Sequence, residues 1–223
     1  MLRILKMAGR AVVVPVGVTG ETIEGLLKSV PRPDLIITVS VPGYEEVKGP
    51  IIEGLKAAAS AMGARFRSFT VKKGDVEVLV DVYKLLLEER PNEVYLIGVT
   101  GSRYLLPLLV MVLLKYWRDA KAVVYLLHGV EGEECEAVPL PGFFAPSMRL
   151  SNTQIKLLKI IYSLEGPISG KELIQKYGFT RSVYYVLADM ERKGLLFVRR
   201  NKIEKTLPGR LMYELLRAGE GAK

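Results

Sequence analysis

The sequence predicts an α/β fold in two parts: a mainly parallel sheet covered by helices over residues 1–140, then a small helical domain that closes on a basic hairpin over residues 151–223. Three observations carry this. Short apolar, β-branched runs alternate with helix-spaced segments through the first part. Two helix-start signatures stand close together in the last third. Charge divides unevenly: residues 151–223 hold 14 Lys+Arg and 7 Asp+Glu, against 18 and 17 in residues 1–150, so nearly all of the net +8 lies in the last third.

In chain order, residues 11–16 form the first apolar run, and helical spacing follows from 21 to 30. Residues 35–41 are a second strand and 50–62 an Ala-rich helix. Residues 66–71 are a third strand, followed by an amphipathic stretch over 76–89. Residues 93–97 are a fourth strand, with a strongly apolar helix over about 104–117. Residues 121–127 are a fifth strand, 129–134 a turn and 135–140 a sixth strand. Repeated strand–helix alternation with apolar strands gives a parallel, Rossmann-like sheet buried on both faces. The last two strands are expected as an antiparallel hairpin at its edge.

Two copies of one tetrapeptide follow strands in this part. Gly17-Val18-Thr19-Gly20 comes after the first strand and Gly98-Val99-Thr100-Gly101 after the fourth. Glycine there permits positive φ and close approach of a ligand to the backbone. Threonine hydroxyls and the N–H groups of a helix start suit an anion. A sheet ordered 3-2-1-4-5 makes strands one and four neighbours at the switch point, where ligands bind beyond the carboxyl ends of the strands. Both loops would then flank one site for a phosphate-bearing ligand. The competing reading is that glycine is simply common in tight strand–helix turns. No G-x-G-x-x-G and no G-x-x-x-x-G-K-[ST] occurs, which disfavours NAD, FAD and P-loop ATP sites.

In the last third, Ser151 precedes an apolar-periodic run with Gln154 three residues on, and Ser169 opens a second helix with Glu172 three residues on. Both are capping boxes. A third helix is expected from Thr180, with Val183, Val186, Leu187 and Met190 as its buried stripe and Gly194 as its stop. Residues 195–198 read as a strand, and Arg199, Arg200, Lys202 and Lys205 fill the hairpin after it. Three helices and a basic hairpin make a winged helix-turn-helix, whose partner is double-stranded DNA. Off the apolar stripe lie Arg181, Ser182, Tyr184, Tyr185, Asp189 and Arg192. Arg181, Ser182 and Tyr185, near the start of the reading helix, are candidates for base-edge contact, and Thr180, Tyr184 and Arg192 complete its DNA-binding candidates. Tyr184 has a second option, packing against the wing. The four hairpin cations suit phosphate contacts, which position without specifying sequence. A solvated basic surface is the plainer alternative. Residues 209–217 look like a final amphipathic helix.

Composition sets outer limits. Apolar residues make up 49% and charged residues 25%, ordinary for a packed globular chain. One cysteine, Cys135, excludes an internal disulfide and suits the cytoplasm, and one histidine beside it makes a zinc site improbable. Three carboxylates around Cys135 (Glu133, Glu134, Glu136) oppose a reactive thiolate. The longest apolar stretch, residues 104–114, contains Pro107 and falls short of the ~20 residues of a membrane span. The connection over 141–150 carries two aromatics and two prolines and is expected to be a stiff junction, not a tether.

With these residues in view, the chain resembles the CRISPR-associated Rossmann-fold (CARF) regulators of archaea, which join such a sensor domain to a C-terminal winged helix. The likeness in architecture covers the whole chain. In sequence it rests on the loop after the first strand, the loop after the fourth and the reading-helix region. Family members show a pattern like Asn-x-Thr-Gly-Gly and a basic residue after strand four; here Thr100 and Gly101 match, Gly98 stands for the Asn, Ser102 for the second Gly and Arg103 for the basic residue. The resemblance implies a homodimer that binds a cyclic oligoadenylate, cyclic tetra-adenylate first among them, across its two-fold axis. It implies no cofactor and no metal. Gly17, Thr19, Gly20 and Thr22 would contact one phosphate, and Gly98, Thr100, Gly101, Ser102 and Arg103 another. It further implies control of CRISPR-associated genes in antiviral defence.

Some CARF domains cut their own ligand, so a ring nuclease, or another nucleotide-processing Rossmann enzyme with an accessory winged helix, is the alternative. Ser102 and Thr100 could assist such cleavage, but no general base is evident. His128 ends the fifth strand and reads as structural; no Arg stands four to six residues before it, as a HEPN-type ribonuclease would want. Glu45 and Glu46 read as solvated loop charges. No catalytic residue is assigned.

Overall fold

The computed structural model describes residues 9–17, 30–98, 104–128, 136–140 and 150–220. The chain divides into two compact units, Met1–Phe144 and Ala145–Lys223.

Apolar strands build the first unit: β1 (Arg10–Pro15), β2 (Leu35–Ser40), β3 (Arg65–Thr70), β4 (Glu93–Ile97), β5 (Val123–His128) and β6 (Glu136–Pro139). Among the described residues they form one sheet in the order β3-β2-β1-β4-β5-β6. The first five strands run parallel, and β6 pairs antiparallel to β5. This is the mainly parallel, Rossmann-like sheet with an edge hairpin that the alternation predicts. Val12, Val14, Val16, Ile36 and Ile97 share a core with Leu55 and Ala59 of α1 (Glu45–Met62). The alternate residues Ala11, Val13, Ile37 and Leu96 are equally buried, so both faces are covered. The chain reverses direction across the sheet after β3, and the usual right-handed crossover then places α2 (Glu77–Glu89) and α3 (Leu105–Ala120) on the face opposite α1.

Two boundaries differ instructively. Helix α1 starts at Glu45, five residues before Pro50, the predicted start. Pro50 forfeits one helical hydrogen bond, but the earlier turn is anchored by Lys48. Its buried ammonium donates to Val41 O at 2.5 Å and to Gly43 O. Helix α3 tolerates Pro107 because it stands in the first turn, where the N–H that proline lacks would have no helical acceptor. It runs on to Ala120 and is stopped by Lys121 at φ +55°. Within it Lys115, 7% exposed, donates to Tyr83 of α2 at 3.2 Å and pairs with Asp119, which also accepts from Tyr83. Burial and that carboxylate push the Tyr83 phenol well above its ordinary range. The predicted helix over 21–30, save Val30, the turn over 129–134 and the junction over 141–149 lie outside the described residues.

The second unit contains α4 (Asn152–Ser163), β7 (Ile168–Ser169), α5 (Gly170–Tyr177), α6 (Val183–Arg192), β8 (Leu196–Arg199), β9 (Lys202–Lys205) and α7 (Leu207–Glu220). Both capping boxes form as the spacing predicts: Ser151 Oγ accepts from Gln154 N, and Ser169 Oγ from Glu172 N, each at 3.2 Å. The three strands make an antiparallel sheet in the order β7-β9-β8. Leu158, Ile161, Leu173, Leu187, Met190 and Ile203 form its core. No described helix is long and apolar enough to cross a membrane.

Candidate ligand crevice and nucleic-acid interface

In the sheet, β1 and β4 are hydrogen-bonded neighbours, with Val13 opposite Leu96. Strand order reverses between them, so the loops carrying the paired tetrapeptides leave from adjacent strand ends at the switch point. Of the predicted ligand residues, Gly17 and Gly98 are described; Thr19, Gly20, Thr22, Thr100, Gly101, Ser102 and Arg103 lie outside the described residues. Gly17 is buried. Gly98 has a packing reason of its own, since a Cβ there would stand 2.7 Å from Leu126 Cδ1.

One feature at this end of the sheet escaped the sequence reading. The turn after β2 is tightly tied: Gly43 N donates to Glu45 Oε1 at 2.9 Å, and Lys48 holds the carbonyls of Val41 and Gly43 from below. Glu45 is thus a turn ligand as well as a loop charge. Tyr44 follows at φ +58°, a left-handed conformation that a bulky residue adopts only at a cost. Its ring stands 73% exposed. Pro42-Gly43 marks the turn in the sequence, but nothing local says that the next residue is left-handed.

On the second unit, α6 begins at Val183, three residues later than predicted. The Thr180 and Ser182 hydroxyls bond each other at 2.6 Å, and neither caps the helix. Arg181 is exposed and has no acidic partner among the described residues. Tyr185, one turn on, is 82% exposed. Tyr184 lies across Gly170 at the start of α5, where an added Cβ would meet its ring at 2.5 Å. It also lines a groove of about 460 Å³ with Leu187, Glu191, Val198, Asn201 and Ile203, between α6 and the β8–β9 hairpin. Glu191 spans that groove, accepting from Val198 N at 2.9 Å.

The hairpin closes on two residues, Arg200 and Asn201, both at positive φ (+47° and +61°). Such a turn matches the strand twist, and its usual residues are Asn and Gly. Arg200 and Lys202 have no acidic partner among the described residues. The other basic candidates are engaged. Arg199 pairs with Glu204 at 3.7 Å and lies over the Phe197 ring. Arg192 pairs with Asp189 at 3.0 Å. Lys205 donates to Leu164 O and sits over Tyr162. Asp189 also meets Lys193 at 3.0 Å and Gln154 at 2.7 Å, and these two hold its carboxyl below the ordinary range. The Ser169 backbone and hydroxyl do the same for Glu172.

No group of histidine, cysteine and carboxylate side chains that could hold a metal ion occurs among the described residues. No protein-family model matches the chain, and no curated protein matches it at a significant level.

Proposed function

We propose that this chain is a dimeric, ligand-responsive transcription regulator of the CARF type, controlling CRISPR-associated genes. In this reading the second unit is a winged helix-turn-helix. Helix α6 is its reading helix and the β8–β9 hairpin its wing. One observation carries the DNA reading: among the described residues, Arg181 just before α6, and Arg200 and Lys202 at the hairpin tip, have no acidic partner, and Tyr185, one turn after Arg181, is exposed. Cations left uncompensated in a unit of strong positive charge suit a polyanion, and their release of condensed counterions would drive binding. Arg181 and Tyr185 would reach base edges, whereas Arg200 and Lys202 would meet phosphates.

The first unit is the sensor, and its ligand a cyclic oligoadenylate, cyclic tetra-adenylate first. The adjacency of β1 and β4 supports one shared site for the two tetrapeptide loops. Ligand binding would shift the population of two arrangements of the paired reading helices, which requires different affinity for each.

Two measurements test this. Anisotropy with the chain's own upstream duplex, under excess nonspecific competitor, should retain a signal; loss of all binding under competitor overturns specific regulation. Calorimetry with a panel of cyclic oligoadenylates should give heat that Arg103→Ala reduces. No heat from any ring overturns the ligand.

A further inference from the structure

We propose that the groove between α6 and the β8–β9 hairpin seats one sugar–phosphate strand of the duplex, with Lys171 as a phosphate contact and the Tyr184 ring as a wall against the sugars; this rests on the DNA reading above. Tyr184, Ala188 and Glu191 recur at i, i+4 and i+7 along the flank of α6 that lines the groove, whereas Tyr185 and Arg192 lie outside it. A helix that fills the major groove, about 12 Å wide, has a phosphate strand along each side. With Tyr185 toward the base edges, the flank carrying Tyr184 and Ala188 faces one of those strands, and the hairpin stands beyond it.

Three features of the groove fit a backbone strand. The first is charge. Lys171, the second residue of α5, lines the groove, is exposed and has no acidic partner among the described residues. On the hairpin wall Asn201 lies between Arg200 and Lys202, which are equally uncompensated. Cations of both walls thus complement a polyanion laid between them. The second is the apolar surface left open there. Tyr184 is 51% exposed and Val198 38%, with the small, exposed Ala188 leaving room between α6 and the hairpin. The Tyr184 ring rests on Gly170, where any Cβ would collide with it at 2.5 Å, so glycine sets the position of this wall. Sugars are contacted along with phosphates in backbone recognition, and an aromatic edge suits them. The third is Glu191, the one carboxylate lining the groove among the described residues. Its Oε1 accepts from Val198 N at 2.9 Å, which ties the hairpin to α6 and sets the width between them. Its charge opposes a phosphate, so a strand seated here leaves a signature: neutralising Glu191 while keeping the acceptor must tighten binding.

The test uses the full chain and its own upstream duplex, with anisotropy read over a range of salt and a thermal melt of each variant. In Lys171→Ala the slope of log affinity against log salt should fall by about one, and Lys171→Arg should keep it. Lys176→Ala is the control on the same helix. That lysine lies outside the groove and pairs with Glu172 at 3.7 Å, so its loss should leave the slope unchanged. Ala188→Leu fills the groove without changing charge, and should weaken binding while melting like the parent. Glu191→Gln should tighten binding about two- to five-fold, the scale of one exposed charge pair. A parent-like slope in Lys171→Ala, parent-like affinity in Ala188→Leu, or no tightening in Glu191→Gln overturns the seat and leaves the DNA reading standing. A parent that binds no duplex overturns both.

Discussion

Gln154, the capping glutamine of α4, donates its Nε2 to Asp189 Oδ2 on α6 at 2.7 Å. Its Oε1 accepts from Ser151 N at 2.9 Å, so one buried amide closes a helix start and fixes α6 against it. Gln154→Ala should therefore destabilise the second unit by about 1–2 kcal/mol, the sum of a lost cap and a lost buried hydrogen bond. DNA affinity should fall as well, but with the salt slope unchanged, because no phosphate contact is removed. Thermal melts and anisotropy at several salt concentrations check both parts. A changed slope would place Gln154 or its neighbours on the phosphates.

Acid should loosen the same junction. Lys193 and Gln154 hold the Asp189 carboxyl below its ordinary pKa in the folded chain. A carboxylate lowered in this way stabilises the fold fully above its unfolded value of about 3.9. That contribution fades as the pH falls through the lower, folded value. Glu172, lowered by the Ser169 cap, acts in the same direction. Unfolding of the second unit should therefore become easier below about pH 4, and Asp189→Asn should flatten that dependence. Parallel pH profiles for parent and variant would count against the assignment.

At the tip of the β8–β9 hairpin, stability and the proposed DNA binding should separate. Arg200 occupies a left-handed position that glycine prefers, so Arg200→Gly should raise the melting temperature modestly. In the same variant, the slope of log affinity against log salt should fall by about one, the share of one phosphate contact. Adding Lys202→Ala should remove about one more. Lys205→Ala should instead cost stability and leave the slope alone, since its ammonium is committed to Leu164 O. A slope that responds to Lys205 but not to Arg200 would reverse the roles given to the two ends of the hairpin.

Much of this architecture is legible in the chain because its signals are local. The valines of β1 and the isoleucines of β2 announce buried strands, and Ser151 with Gln154, like Ser169 with Glu172, announces a helix start by spacing alone. What the sequence conceals is set by tertiary partners. Strand β7 is two residues long and exists through the pairing of Ile168 with Ile203, far too short to show a period. The true start of α1 depends on Lys48 reaching back to Val41 and Gly43, which overrides the punctuation at Pro50. Basic residues are equally countable in the sequence, but their availability is not. Arg199 and Lys205 look like Arg200 and Lys202 until Glu204 and Leu164 O are seen beside them. Tyr44 was invisible for the converse reason, because exposure and a left-handed backbone leave no pattern in residue type.

Two glycines of the second unit should separate steric from conformational need. Gly178 ends α5 at φ +71° with nothing within 4 Å of an added Cβ, and its N–H donates to Leu173 O. Gly178→Ala thus meets only left-handed strain, about 1 kcal/mol. Gly209, in the first turn of α7, faces the opposite problem. A Cβ there would overlap the Leu195 carbonyl and the Tyr162 hydroxyl. That hydroxyl donates to Leu195 O at 2.6 Å and accepts from Thr206 N at 2.9 Å, so it cannot move without unpairing buried groups. Gly209→Ala must shift the start of α7 or break this knot, and should cost about 3 kcal/mol or more. Urea unfolding of the two variants measures the difference directly. A Gly209→Ala penalty at or below that of Gly178→Ala would mean that α7 can slide away from Tyr162, and that the knot does not fix its position.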